Sequence, residues 1–153
     1  MREIFNRTKT IEVTPVIDDD AYSAGDVVGG LIELDVASAG GGGVIRRVML
    51  IDDDSEGAAL TLYFFDAEPT TIADDAAYAP TVADLKKQIG IVEIATGDYV
   101  TQNGNDIVIK DGDDLNIDYE SIDGKLYAYI VCTATPTYTA VTDLTLRVTV
   151  WMD

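Results

Sequence analysis

The chain has 153 residues, 28 of them acidic and 10 basic, for a net charge of −18, and it contains no histidine. That balance excludes nucleic acid and anionic membranes as partners held by charge, since both are bound by Lys and Arg displacing counterions. The missing imidazole removes the commonest general base and the commonest metal ligand.

Despite the charge, 47% of the residues are hydrophobic, so the chain reads as globular rather than disordered, and its length suits one domain. The first eight residues, "MREIFNRT", differ from the rest. Arg2, Arg7 and nearby Lys9 are three of the ten basic residues. The stretch reads either as a frayed tail or as an arm that anchors on a neighbour, the arm having Ile4 and Phe5 to supply apolar grip and Arg2, Phe5 and Arg7 as interface candidates. It lacks the continuous apolar run of a signal peptide, and no segment approaches the roughly 18 apolar residues of a membrane span. The expectation is a soluble protein made in the cytoplasm.

From residue 9 onward most of the chain alternates with period two. "TIEVTP" opens the series. "LIELDV" sets Ile32, Leu34 and Val36 against Glu33 and Asp35, and "VIRRVMLID" follows the glycine run. "ALTLYFFD" is apolar on both faces, which predicts a strand covered on both sides or one that joins an interface. In "TVADLKKQIG", Thr81 can cap a two-turn helix with Asp84 three positions on, Leu85 and Ile89 on one face and Gly90 at its end. "IGIVEIA", "NDIVIKD", "LNIDYE" and "KLYAYIVCT" are further strands. "DLTLRVTVW" closes the chain with Leu144, Leu146, Val148 and Val150 facing one way and Thr145, Arg147 and Thr149 the other. The fold class is all-β: an antiparallel β-sandwich or jelly roll of about eight strands with one short helical insertion, a single domain over 9–153 behind an arm over 1–8.

Chemistry is sparse. Gly40–Gly43 precede "VIRRVMLI", a strand pattern without the helix and Lys-Ser/Thr that a phosphate loop requires, so the run reads as a strand connector. Asp18–Asp20, Asp52–Asp54 and "DGDD" at 111–114 offer paired carboxylates. Adjacent Asp residues at strand ends point in alternating directions and are expected to be solvated, whereas acid catalysis wants one carboxyl in an apolar pocket. None of the runs has the spacing of a calcium loop, and no ligands are assigned. Cys132, without a second cysteine, reads as a small buried residue. Tyr22, Tyr78, Tyr99 and Tyr138 lie beside loop residues, where a sugar-binding module would place stacking aromatics; half-buried packing explains them as well. No catalytic residue, cofactor or metal follows from these residues.

The segment Val13–Asp52, "VTPVIDDDAYSAGDVVGGLIELDVASAGGGGVIRRVMLID", resembles the opening of a set of tailed-bacteriophage structural proteins, with V-T-P-x-[ILV]-D-x-x-x-Y-x-x-G-D-x-[IV]-G-G before a strand, a Gly-rich turn and another strand. Ala59–Tyr99 fits the same set through F-D-x-x-P and D-L-x-K-x-I-G-x-[IV]. The resemblance implies a virion component, most of all a head decoration (cement) protein: non-enzymatic, trimeric, and bound to the major capsid protein on the outer surface of the head. A glycan-binding β-sandwich module of a tail fibre or baseplate is the alternative of a different class, and a hydrolase using paired Asp a third.

Overall fold

The computed structural model describes residues 7–36 and 40–152. Its ten strands are β1 (Arg7–Val13), β2 (Ile32–Asp35), β3 (Gly42–Asp52), β4 (Leu60–Phe65), β5 (Gln88–Ile94), β6 (Val100–Gln102), β7 (Asn105–Asp111), β8 (Ile117–Glu120), β9 (Lys125–Cys132) and β10 (Leu144–Met152). One helical turn, α1 (Val82–Leu85), precedes β5. All strand pairs are antiparallel, in a six-stranded sheet ordered β1-β10-β3-β7-β6 with β8 also on β3, and a four-stranded sheet ordered β2-β9-β4-β5.

The pairing is nested: β1 with β10, β2 with β9, β3 with β8, β4 with β5. A chain folded back as one long hairpin and rolled into two sheets is a jelly roll. The β6–β7 hairpin is an insertion into it. Strand β3 is long enough to serve two partners end to end, Gly42–Ile45 taking β8 and Arg47–Asp52 taking β7. The core lies between the sheets, where Leu144, Leu146, Val148 and Val150 of β10 and Ile45, Val48 and Leu50 of β3 meet Leu60, Leu62 and Phe64 of β4 and Leu126, Ala128 and Ile130 of β9. Each Leu, Ile, Val or Phe among them contributes about 1.5–3 kcal/mol on full burial. Cys132 is buried with them, its thiol donating to the Ser23 carbonyl at 3.1 Å, and burial pushes its pKa up.

Several expectations need correction. The described residues form ten strands; nine of them are the segments read from the sequence, and β6 escaped because its three residues are all exposed and carry no alternation. The helix is one turn, not two. Thr81 does cap it, its hydroxyl accepting the Asp84 N–H at 3.1 Å, but Ile89 and Gly90 belong to β5, with Gly90 opposite Phe64. A two-turn helix is marginal alone, and the β4 ladder wins the backbone of Gln88–Ile94. Gly90 is also where Ile117 of β8 packs; a Cβ there would lie 2.5 Å from Ile117 Cδ1. The glycine run is only half connector: Gly42 and Gly43 are strand residues. A Cβ on Gly43 would strike the Trp151 carbonyl and sit 2.7 Å from the Tyr119 hydroxyl. Finally, β1 starts at Arg7, so Arg7 and Thr8 of the expected arm are sheet residues.

Candidate interaction surface

The outward faces of the two sheets are treated differently. On the four-stranded sheet, Phe65 of β4 and Tyr127, Tyr129 and Val131 of β9 form a second buried cluster with Val27, and Leu31, Tyr63, Ile72 and Tyr78 pack around it. The cover is the chain itself, residues 66–81. The Tyr129 hydroxyl donates to the Thr70 carbonyl at 2.8 Å and accepts the Ile72 N–H at 2.9 Å. Tyr78 stacks on Tyr63 with ring centres 4.5 Å apart, and desolvation there pushes the Tyr78 pKa up to about 12. Asp84 latches both ends of the segment. One carboxylate oxygen accepts the Thr70 N–H at 2.9 Å, the other the Thr81 hydroxyl at 2.9 Å. These hydrogen bonds, the Thr70 N–H first, hold its pKa at about 2. Apolarity on both faces of "ALTLYFFD" thus has its explanation in a self-supplied lid.

The six-stranded sheet has no such lid among the described residues. Its outward face is built by alternation from Thr8, Thr10 and Glu12 of β1, Thr145, Arg147, Thr149 and Trp151 of β10, Met49 and Ile51 of β3, and Ile107 and Ile109 of β7. A register shift sits where Thr149 pairs Arg47 and Val150 pairs Ile45. Such a bulge inserts an extra residue on one strand and interrupts strict alternation. Arg46 and Arg47 therefore share one shallow depression with Thr8, Asp111, Gly112, Thr149 and Trp151. The Arg46 guanidinium lies 4.3 Å above the centre of the Trp151 ring and donates to Asn116 Oδ1 at 3.2 Å. A second depression is lined by Thr10, Arg47, Met49, Arg147 and Thr149. In it the Thr10 and Thr149 hydroxyls are 2.9 Å apart, and Arg147 Nε lies 3.4 Å from Glu12 Oε2 on the neighbouring edge strand. Arg47 is exposed and has no ion pair among the described residues. Trp151 (42% exposed) and Ile109 (49%) leave large apolar surface open on this face.

Of the residues read from sequence as interface candidates, Arg7 lies at the start of β1 opposite Met152, exposed at the edge of this sheet. Arg2 and Phe5 lie outside the described residues, as does the rest of 1–6. Arg46 and Arg47 were missed. The one trace of them in the sequence is the doublet of arginines interrupting the alternation of "VIRRVMLID".

The acidic runs are not uniformly solvated as expected. Asp52 is 1% exposed, opposite Asp106 of β7, which is also buried. Asp52 accepts the N–H groups of Asp54 and Gly57, both at 3.0 Å, and closes the turn after β3. Asp106 accepts the Thr101 hydroxyl at 2.5 Å. Burial first, and the Asp106 charge in a lesser part, push the Asp52 pKa up. Both carboxylates bind their own chain. Among the described residues no group of three or more acidic or thiol side chains is placed to hold a metal ion. The loop tyrosines are packing residues: Tyr22 and Tyr138 are buried edge to face, and Tyr99 donates to the Ala58 carbonyl at 2.7 Å.

No protein-family model and no curated protein matches the chain. Among solved structures, one of tomato aspermy virus aligns over 99% of this chain and 80% of its own, with a TM-score of 0.46 and 10% identity. A family two carbohydrate esterase from Cellvibrio japonicus aligns over 95% of this chain and 34% of its own, with a TM-score of 0.24 and 12% identity. At these scores neither bears on function.

Proposed function

We propose that the chain is a non-enzymatic virion protein, a head decoration protein of a tailed bacteriophage that binds the major capsid protein on the outer surface of the head as a homotrimer. What supports this reading most is where the residues of the phage-like motif lie. They form one clasp between β1 and β2. The Tyr22 hydroxyl donates to Asp74 Oδ1 at 2.7 Å and accepts the Asp18 N–H at 2.6 Å, while Gly29 N–H reaches the same Asp74 oxygen at 2.6 Å. Gly29 has φ +88°, and Pro15 occupies the space of its absent side chain. Asp26 accepts the Ser23 N–H at 2.8 Å. A motif whose side chains are consumed in this way marks a shared fold rather than shared catalysis.

The rest of the molecule suits adhesion. A sandwich with one sheet covered by its own chain and the other without a cover among the described residues offers a broad sheet face for contact. Trimerisation converts second and third weak contacts into effectively intramolecular ones. Repulsion among copies carrying −18 each is screened beyond about 8–10 Å in physiological salt. Quantitative mass spectrometry of intact virions tests the reading. Copies in the hundreds, surviving or lost together on a surface-stripping wash, are expected; a handful of copies would move the protein to the tail. Light scattering on the isolated protein should give three times 16.5 kDa, and saccharide binding on a glycan array would instead favour the tail-fibre module.

A further inference from the structure

We infer that the open face of the six-stranded sheet is the docking surface, and that it receives acidic side chains projecting from an apolar patch of a partner protein; this rests on the decoration reading, in which that partner is the capsid. The chemistry of the face selects the occupant. Arg147, Arg47 and Arg46 run across β10 and β3, the middle strands, while carboxylates stand around them: Glu12 on β1, Asp111 at the end of β7, Asp118 and Glu120 on β8. Arg47 and Arg147 line one depression together with two threonines. The Arg47 guanidinium fork, exposed and without an ion pair among the described residues, suits a carboxylate, which accepts paired N–H donors, and Arg147, shared with Glu12, adds positive charge beside it.

Phosphate polymers are the wrong partner. Three arginines inside a ring of carboxylates, on a chain of net charge −18, cannot displace enough counterions to hold one. The uncharged part of the face points the same way. Trp151 and Met49 beside arginine are among the residue types concentrated at the centres of protein interfaces, and Ile51 and Ile109 add apolar area to them. Size argues for weak single contacts. Four strands spaced at about 4.8 Å, each with about seven residues rising 3.3 Å, span roughly 400 Å², near half of what one partner contributes to a standard interface. Affinity must then come from several copies acting together.

The test uses purified phage heads stripped of this protein, titrated with the full chain. The wild type is compared with Arg47→Glu/Arg147→Glu on the open face and with Lys86→Glu/Lys125→Glu, which changes net charge equally on α1's flank and on β9. Head occupancy should fall at least tenfold for the arginine pair, with the protein still folded at the assay temperature by its melting curve and the trimer mass unchanged, and stay near wild type for the lysine pair. Raising salt from 50 to 300 mM should weaken the wild type and leave the arginine variant nearly unaffected. Equal binding by the arginine variant overturns the assigned face and leaves the decoration reading standing. Equal loss in both variants reduces the effect to net charge and overturns it too. Loss of the trimer in the arginine variant would make the face a contact between copies. Failure of the wild type to bind heads removes both proposals.

Discussion

Strands β9 and β10 lie in different sheets, and their outward residues meet opposite fates. Those of β9, Tyr127, Tyr129 and Val131, are buried under residues 66–81 together with Val27 and Leu31. Those of β10, Thr145, Arg147 and Trp151, stand on a face that no described segment covers, with Thr149 buried among its strand neighbours. The pattern tracks composition: a strand that writes apolar residues at every position must be covered twice, whereas one that alternates needs one core. What differs between the faces is a 16-residue excursion between β4 and α1 (residues 66–81), held by Tyr129 and Asp84.

The contrast can be broken most severely from the covered side. Tyr129→Ala removes a fully buried ring and both its hydrogen bonds to the cover, and should cost about 3–5 kcal/mol in urea unfolding. Ile109→Ala on the open face should stay within about 0.5 kcal/mol of wild type. Comparable losses from the two would mean that the open face is itself packed against something in solution.

Next in size is Gly43→Val at the border of β3, β8 and β10. A branched side chain must displace the Trp151 backbone and the Tyr119 ring, for about 1–3 kcal/mol of overpacking. Gly97→Ala, which meets open space, should be nearly silent in the same melt. Tyr129→Phe isolates the hydrogen bonds of the cover; stranding the Ile72 N–H should cost about 1–3 kcal/mol, and should raise amide exchange in residues 70–78 before the rest of the molecule. Uniform exchange would show that the lid is not a separate unit.

The smallest effects are those of pH, and they have opposite signs on two carboxylates. Asp84 is held at about 2, below its ordinary 3.8. Its stabilisation is complete above about pH 4 and lost as pH falls through about 2, so the protection factors of amides in the cover, corrected for intrinsic exchange, should fall on acidification, and Asp84→Asn should remove that dependence. Asp52 is pushed the other way by burial. The folded state holds its proton longer than the unfolded chain does, so this residue's contribution declines as pH rises above the ordinary carboxyl range. Asp52→Asn should flatten the neutral side of the stability profile; an unchanged profile would mean that Asp52 titrates like an exposed acid.

Much of the site was hidden in the sequence for identifiable reasons. Nine of the ten strands announce themselves by alternation or apolar runs, and Thr81 with Asp84 announces the helix cap. Arg46 reaches the open face because of a bulge opposite Thr149 and Val150, and a bulge has no periodic signature. Asp52 looks like one member of a solvated acidic run until Asp106, 54 residues away, is set beside it by β3–β7 pairing. Asp84 looks like a cap and proves also to be a latch, because Thr70 arrives from a loop.

Local chemistry, then, was enough to dictate nine of the ten described strands, the all-β class and the Thr81 cap, since alternation and residue type act over a few neighbouring positions. Which sheet would be sealed and which left without a cover among the described residues was decided only when the chain closed on itself. That outcome depends on contacts between residues far apart in sequence, such as Tyr129 with Ile72 and Arg47 with Thr149, and on a one-residue slip in register that turned a pair of arginines toward the same side.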